Sequence, residues 1–277
     1  MNIPKYIGIY RKELEFKNYS SNTIENYVSQ VNSFLNHFEG KFTEPSKINE
    51  SSIKEWISLG KTTNSIKHRL SAVKLFFIHA IHQPLKFRYI EYPRSEKKLP
   101  IVLSQEEVQN MFDVCENLKH KVILSLLYSC GLRVSELINL KWEHLDRQRM
   151  IINIIQAKGN KDRQTMLTPQ LIPLLENYYR EYKSKEYILN GQSNLQYTSR
   201  SVGEVIKQLA HKAGINKRVY THLMRHNCFT HMVENGTDIN LIQKLAGHNS
   251  VKTTNMYLHI SSNLISSIQS PLSQIKL

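Results

Sequence analysis

From Asn22 onward the apolar residues Ile24, Tyr27, Val28, Val31, Phe34, Leu35 and Phe38 recur at i, i+3, i+4, i+7, the rhythm of one buried face of an α-helix. Ser20, Ser21 and Asn22 precede the pattern with side chains suited to N-caps. A second strong pattern over residues 63–82 buries Ile66, Leu70, Val73, Phe77 and Ile78 and leaves Lys67, Arg69 and Lys74 on display. Segments 3–16 and 48–59 complete a small predicted helical bundle.

Apolar periodicity then stops. Residues 92–100, YPRSEKKLP, are polar, charged and bracketed by prolines, as in an interdomain linker. Ser104 and Glu107 form an S-x-x-E capping box that opens the next helix through Val108, Met111 and Phe112. Further helices are expected over 119–130, stopped by Gly131, and over 134–140. Residues 150–156, MIINIIQ, are rich in β-branched side chains, and Gly159-Asn160 supplies a turn before a second strand over 163–167. Helices are predicted again over 170–183, 199–213, 226–235, 238–246 and 250–258. The fold class is mainly α with a small β-sheet, divided into a helical domain (1–92), a linker (93–102), a second domain (103–260) and a C-terminal tail (261–277). The tail alternates Ser, Asn and Gln with Leu264, Ile265, Ile268 and Leu272 and is expected to pack on its own body or on a neighbouring protomer.

Charge adds a partner to this outline. The 277 residues hold 37 Lys+Arg and 23 Asp+Glu, a formal charge of +14. Residues 1–100 contain 16 basic and 9 acidic side chains and the remainder 21 and 14, so each part carries +7. An excess shared by two folded parts, not gathered in a tail, suggests a common polyanionic partner. A chain that is 40% hydrophobic buries a real core, which excludes disorder. The stretch around 122–128 is too short to cross a bilayer and the N-terminus lacks a signal-peptide apolar region, so a soluble, cytoplasmic protein is expected. Cys115, Cys130 and Cys228 lie far apart, without a disulfide framework or a Cys-rich zinc motif.

Four segments hold candidate chemistry: Gly131-Leu132-Arg133-Val134-Ser135-Glu136-Leu137, the hairpin Lys158-Gly159-Asn160-Lys161, His222-Leu223-Met224-Arg225-His226, and Gly247-His248 followed by Tyr257. His222 and His226 stand four apart as in a zinc helix, but Leu223 replaces the glutamate of that motif and no carboxylate cluster is nearby. No Walker motif occurs. Neither a metal nor another cofactor is expected. Taken together the groups suit metal-free attack on a phosphodiester. Arg133 and Arg225 are expected to clamp the anionic phosphorane by charge-assisted hydrogen bonds, and His222, at i, i+3 from Arg225 on one helical turn, can face the same phosphate. A lysine of the hairpin protonates the departing sugar oxygen. A tyrosine, with an ordinary pKa of about 10, needs a base or a positive field to act as nucleophile.

In these motifs the chain resembles the tyrosine site-specific DNA recombinases, most closely the Xer type, over nearly its whole length. GLRVSEL, AKGNKDR, HLMRH and GH occur in the family's order and spacing. The resemblance implies a SAM-like core-binding domain before an α+β catalytic domain. It implies Arg133, Lys158, His222, Arg225 and His248 as catalytic residues and Tyr257 as nucleophile, with His226 and Glu136 in support. The residues alone leave Lys158 and Lys161 open as the general acid, and the resemblance favours Lys158. Thr221 and Met224 stand where the family commonly has Pro and Leu, Asn227-Cys228-Phe229 where it has Ser-Phe-Ala, and Ala246 where it has Leu; no chemical group is removed.

The implied reaction is strand cleavage to a 3′-phosphotyrosyl link and rejoining, without metal or ATP, on double-stranded DNA bearing a specific site. Lys67, Arg69, Lys74, Lys161 and Arg163 are the expected DNA contacts, the two basic domains closing around the duplex as a clamp. The implied assembly is a homotetramer or heterotetramer on DNA, with a DNA translocase as a further partner. Xer-like resolution of chromosome or plasmid dimers ranks before integration of a mobile element. A type IB topoisomerase and a non-catalytic DNA-binding protein are the competing readings.

Overall fold

The computed structural model describes residues 1–94, 101–157, 161–191, 196–248 and 250–260, without the side chains of 156, 157, 161, 252 and 258–260. Most of the expected linker, the Gly159-Asn160 turn and the whole tail lie outside the described residues. The chain divides into two compact units, Met1–Lys98 and Leu99–Leu277. No helix among the described residues is long and apolar enough to cross a membrane.

The first unit consists of α1 (Ile3–Phe16), α2 (Ser21–His37), α3 (Glu50–Ser58) and α4 (Thr63–His79). Each helix opens on a polar cap: the side-chain oxygens of Asn2, Ser20, Asn49 and Thr62 accept the backbone N–H three residues on. Their apolar stripes meet around Phe34, whose ring lies edge-on to Trp56 at 5.2 Å and to Phe77 at 6.1 Å. On α4, Phe76 and Ala72 are buried where periodicity pointed to Ile78, which is only half-buried, and the helix ends at His79, three residues early. His82 then adopts φ +58°, a conformation no helix continues through.

The second unit opens with α5 (Gln105–Asp113), started by the reciprocal Ser104/Glu107 capping box. α6 (Leu118–Ser129) is apolar nearly all round and runs through the core. α7 (Val134–Ile138) leads to a three-stranded antiparallel sheet of β1 (Leu145–Asp146), β2 (Ile151–Ala157) and β3 (Lys161–Met166), in the order β1-β2-β3. β1, with two residues, is too short to show a period of two. Ile152 pairs with Thr165 and Ile154 with Arg163, and the register shifts between Ile154 and Ala157. The unit closes with α8 (Leu171–Tyr182), α9 (Ser199–Lys212), α10 (Thr221–Glu234), α11 (Ile239–Ala246) and α12 (Val251–Ile260). α10 starts five residues before its apolar pattern suggests, because it is enclosed on several sides by α6, α9, α11 and α12 and shows no single apolar stripe. That early start places His222, Arg225 and His226 on its first two turns.

Candidate active site

Two glycine turns shape the site. After α6 the chain passes through Gly131 at φ +57°, where a Cβ would lie 2.5 Å from the Phe229 ring. Only glycine fits, and the turn delivers Arg133 as the residue before α7. α11 ends at Gly247 with φ +60°, so that His248 leaves the helix axis abruptly.

The two arginines meet between these turns. Arg225, 1% exposed, donates to the carbonyls of Gly131 and Ala246 and lies over the Phe229 ring at 4.9 Å. Arg133 donates to the same Ala246 carbonyl at 3.3 Å. Glu136 holds Arg133 from two directions, accepting its backbone N–H at 2.7 Å and its Nη1 at 2.6 Å. The same buried carboxylate accepts Arg163 at 2.6 Å and stands 3.8 Å from Arg225.

Burial alone would raise the Glu136 carboxyl, but the hydrogen bond and charge of Arg163, with those of Arg133, outweigh it and hold the group down at about 2. Burial, reinforced by Arg133 and Arg163, lowers Arg225 to about 10, so it remains a cation at neutral pH.

The titratable rings gather around Tyr257. Tyr257 is 1% exposed and packs among Phe229, His226 and His248, the last stacked with it at 6.1 Å and 15°. Its hydroxyl is 3.3 Å from His226 Nδ1, while His248 Nδ1 is 3.1 Å from Thr254 Oγ1. Exposed His222 meets the His226 ring edge-on at 4.4 Å. Burial pushes Tyr257 up to about 12 against the pull of Arg225 and Arg133. Burial, helped by His222 and Arg225, lowers His226 to about 4; burial, helped by Arg225 and Arg133, does the same to His248. At neutral pH both imidazoles are neutral and able to accept a proton, and the phenol is intact.

Arg133, Arg225, His222, His248 and Tyr257 are thus gathered from distant segments. His226, expected in a supporting place, is the imidazole within reach of the Tyr257 hydroxyl. Lys158 and the Lys161 side chain lie outside the described residues. Arg163, expected on a DNA-facing hairpin, is instead 8% exposed: Arg163 and Thr165 occupy the inward face of β3 while Asp162 and Gln164 face out. The alternation of β3 was the available signal, obscured because a basic residue beside a turn is ordinarily solvated. In the first unit Lys67 and Lys74 are seven residues apart on one side of α4, with Lys74 over the Tyr92 ring at 5.8 Å. Arg69 points elsewhere, donating to the Trp56 carbonyl at 2.9 Å with its guanidinium 4.6 Å from that indole.

An open cleft of about 1520 Å³ between the sheet and α11 is lined by Arg133, Arg163, Lys244, Gly247 and His248. Tyr257 does not line it. No group of three or more metal-ligating side chains is assembled among the described residues.

Residues 102–263 match the Phage integrase family model, and residues 10–84 match that of the phage integrase N-terminal SAM-like domain. A tyrosine recombinase of Pseudothermotoga lettingae is 33% identical over 253 residues, covering 87% of this chain and 88% of that protein. Tyrosine recombinase XerD of Oceanobacillus iheyensis is 30% identical over 266 residues, 87% of this chain and 89% of its own. Among solved structures, XerA recombinase matches with 26% identity and a TM-score of 0.57 over 99% of this chain and 98% of that one. XerH site-specific recombinase, in a post-cleavage complex with a palindromic difH substrate, shares the fold with a TM-score of 0.73 and 21% identity over 90% of this chain and 80% of that one. With both units matched in order and relatives alike over most of either length, the chain belongs to the phage integrase family, the tyrosine recombinases.

Proposed function

We propose that the protein cleaves and rejoins double-stranded DNA at a specific site through a covalent link between Tyr257 and a 3′-phosphate. The observation that carries the proposal is the convergence of Arg133 and Arg225 on one carbonyl, that of Ala246, next to the stacked rings of His248 and Tyr257. Two guanidiniums so placed exchange that carbonyl for the non-bridging oxygens of a phosphate and gain strength as charge develops in the phosphorane.

In the cleavage step the Tyr257 oxygen bonds to phosphorus and the bond from phosphorus to the 5′-oxygen breaks. The phenol proton passes to a neutral imidazole, and Lys158 protonates the departing oxygen. His222 and His248 assist proton transfer and orient the phosphate. The phosphoester is conserved in the covalent link, so rejoining to a 5′-hydroxyl needs neither ATP nor a metal. Because Tyr257 is 1% exposed and its hydroxyl is within reach of His226, attack requires that α12 swing the ring toward the cleft.

Lys67 and Lys74 on α4 and Lys161 of the hairpin hold the duplex, largely through phosphate. Exchange between two duplexes requires assembled protomers, and resolution of chromosome or plasmid dimers is the proposed task, supported by the XerD relatives. Incubating the full chain with sheared DNA of its source organism, denaturing, and sequencing the covalently held fragments tests both levels. Adducts at one site near the replication terminus, resistant to a chelator and absent from Y257F, are expected. Adducts at the ends of a mobile element would reassign the task, and adducts that survive Y257F would overturn the chemistry.

A further inference from the structure

Arg163 has no step in the reaction just described, yet it touches three of the segments that build the site. Its Nε and Nη2 donate to the two oxygens of Glu136 at 3.1 and 2.6 Å, a planar fork on a carboxylate. Nη2 also reaches the Gly131 carbonyl at 3.4 Å, and Nη1 donates to the carbonyl of Leu245. Gly247 makes room for it, since a Cβ there would stand 2.7 Å from Arg163 Cδ. One side chain on β3 therefore ties together the turn before Arg133, the glutamate that orients Arg133, and the turn before His248. Lys158 stands three residues before β3 in the sequence.

The charges give this arrangement a purpose. Glu136 is a buried anion facing three cations, and two of them are the proposed phosphate clamp. A carboxylate without a partner of its own competes with phosphate for Arg133 and Arg225, strongly so where water is scarce. We propose that Arg163 is a positioning residue for strand cleavage: it shares the charge of Glu136, so that the carboxylate holds the Arg133 guanidinium by Nη1 alone and leaves Arg133 Nη2 and Arg225 open to phosphate, and it fastens β3 to the two turns. A lysine does not replace it, because a point charge reaches the carboxylate but cannot span it and two carbonyls at once.

The inference rests on the phosphoryl-transfer reading above, and its test keeps the two apart. The probe is a nicked duplex of the sequence recovered by adduct mapping, bound by full-length protein and followed for covalent adduct in a single turnover. If wild type forms no adduct, the phosphoryl-transfer reading fails. If wild type reacts, R163Q is expected to cleave about 100-fold more slowly with duplex affinity unchanged. R163K should fall between the two. E136Q/R163Q should recover about tenfold over R163Q, since a neutral amide at 136 has no charge to place on the clamp. Cleavage by R163Q at the wild-type rate, a loss of binding equal to the loss of rate, or a double variant no faster than R163Q overturns the proposal. Should R163Q fail to fold by circular dichroism, R163K and E136Q/R163K carry the same comparison, and a wild-type rate for R163K overturns it.

Discussion

In the first unit Phe34, Trp56, Phe76 and Phe77 meet edge to face, whereas the second encloses Glu136, Arg163, Arg225 and His231. Among the described residues every buried Ser, Thr, Asn, His, Glu and Arg lies in the second unit. In the first unit the buried Tyr10 hydroxyl donates to the Ala72 carbonyl at 2.9 Å. The first unit is thus held by shape and apolar area, which tolerate exchange of one hydrophobe for another of similar volume. The second contains charges whose desolvation is offset only by specific partners, an arrangement that stability alone would not favour. On the proposed function, buried charge in the second unit marks chemistry.

The largest test of that contrast is Tyr257→Phe, which should lower covalent adduct formation by at least about 10³-fold while leaving the melting curve of either unit nearly unmoved. Adduct at a wild-type level would remove the nucleophile from the second unit and the meaning from its buried cations. Next comes Phe34→Ala, expected to destabilise the first unit by about 3–5 kcal/mol. Trp56 and Trp142 are the two tryptophans and fall one in each unit, so W56F and W142F backgrounds report urea unfolding of each unit separately. A shift seen only by Trp56 supports independent cores; an equal shift by Trp142 would break the distinction. A smaller change, about 1–3 kcal/mol, is expected for Gly131→Ala in the second unit, from its positive φ and the ring of Phe229.

The mildest test is acid. Glu136 is held at about 2 instead of 4.5, so its contribution to stability is complete above the ordinary value and is lost as pH falls toward about 2. His226 and His248 are held at about 4 instead of 6.5, so below pH 6.5 the unfolded chain binds protons that the folded chain refuses, and stability again falls with pH. All three act in one direction. Between pH 7 and pH 4.5 the melting temperature reported by Trp142 should therefore drop more than that reported by Trp56. Equal shifts would mean that the buried charges do not govern acid stability.

Much of this was legible along the chain. The i, i+3, i+4 rhythm predicted α2 and most of α4 because each buries one face against a single apolar interior. Polar caps and Gly131 marked where helices begin and end. The order of GLRVSEL, HLMRH, GH and Tyr257 named the residues that the fold gathers. β1 was missed because two residues carry no period. The start of α10 was missed because a helix buried on several sides has no polar face to contrast with an apolar one.

What the sequence determined by itself is local: which stretches are helical, where glycine must turn the chain, and which ionisable groups are available for phosphate chemistry. Tertiary structure alone decided how those groups are used. Arg163 became a buried partner of Glu136, Arg69 a partner of Trp56, and His226 the imidazole beside the Tyr257 hydroxyl. The physical reason is that the state of a charge depends on neighbours brought from far along the chain. Arg163 and Glu136 are separated by 27 residues, Arg133 and Ala246 by 113, and no local pattern encodes such a meeting.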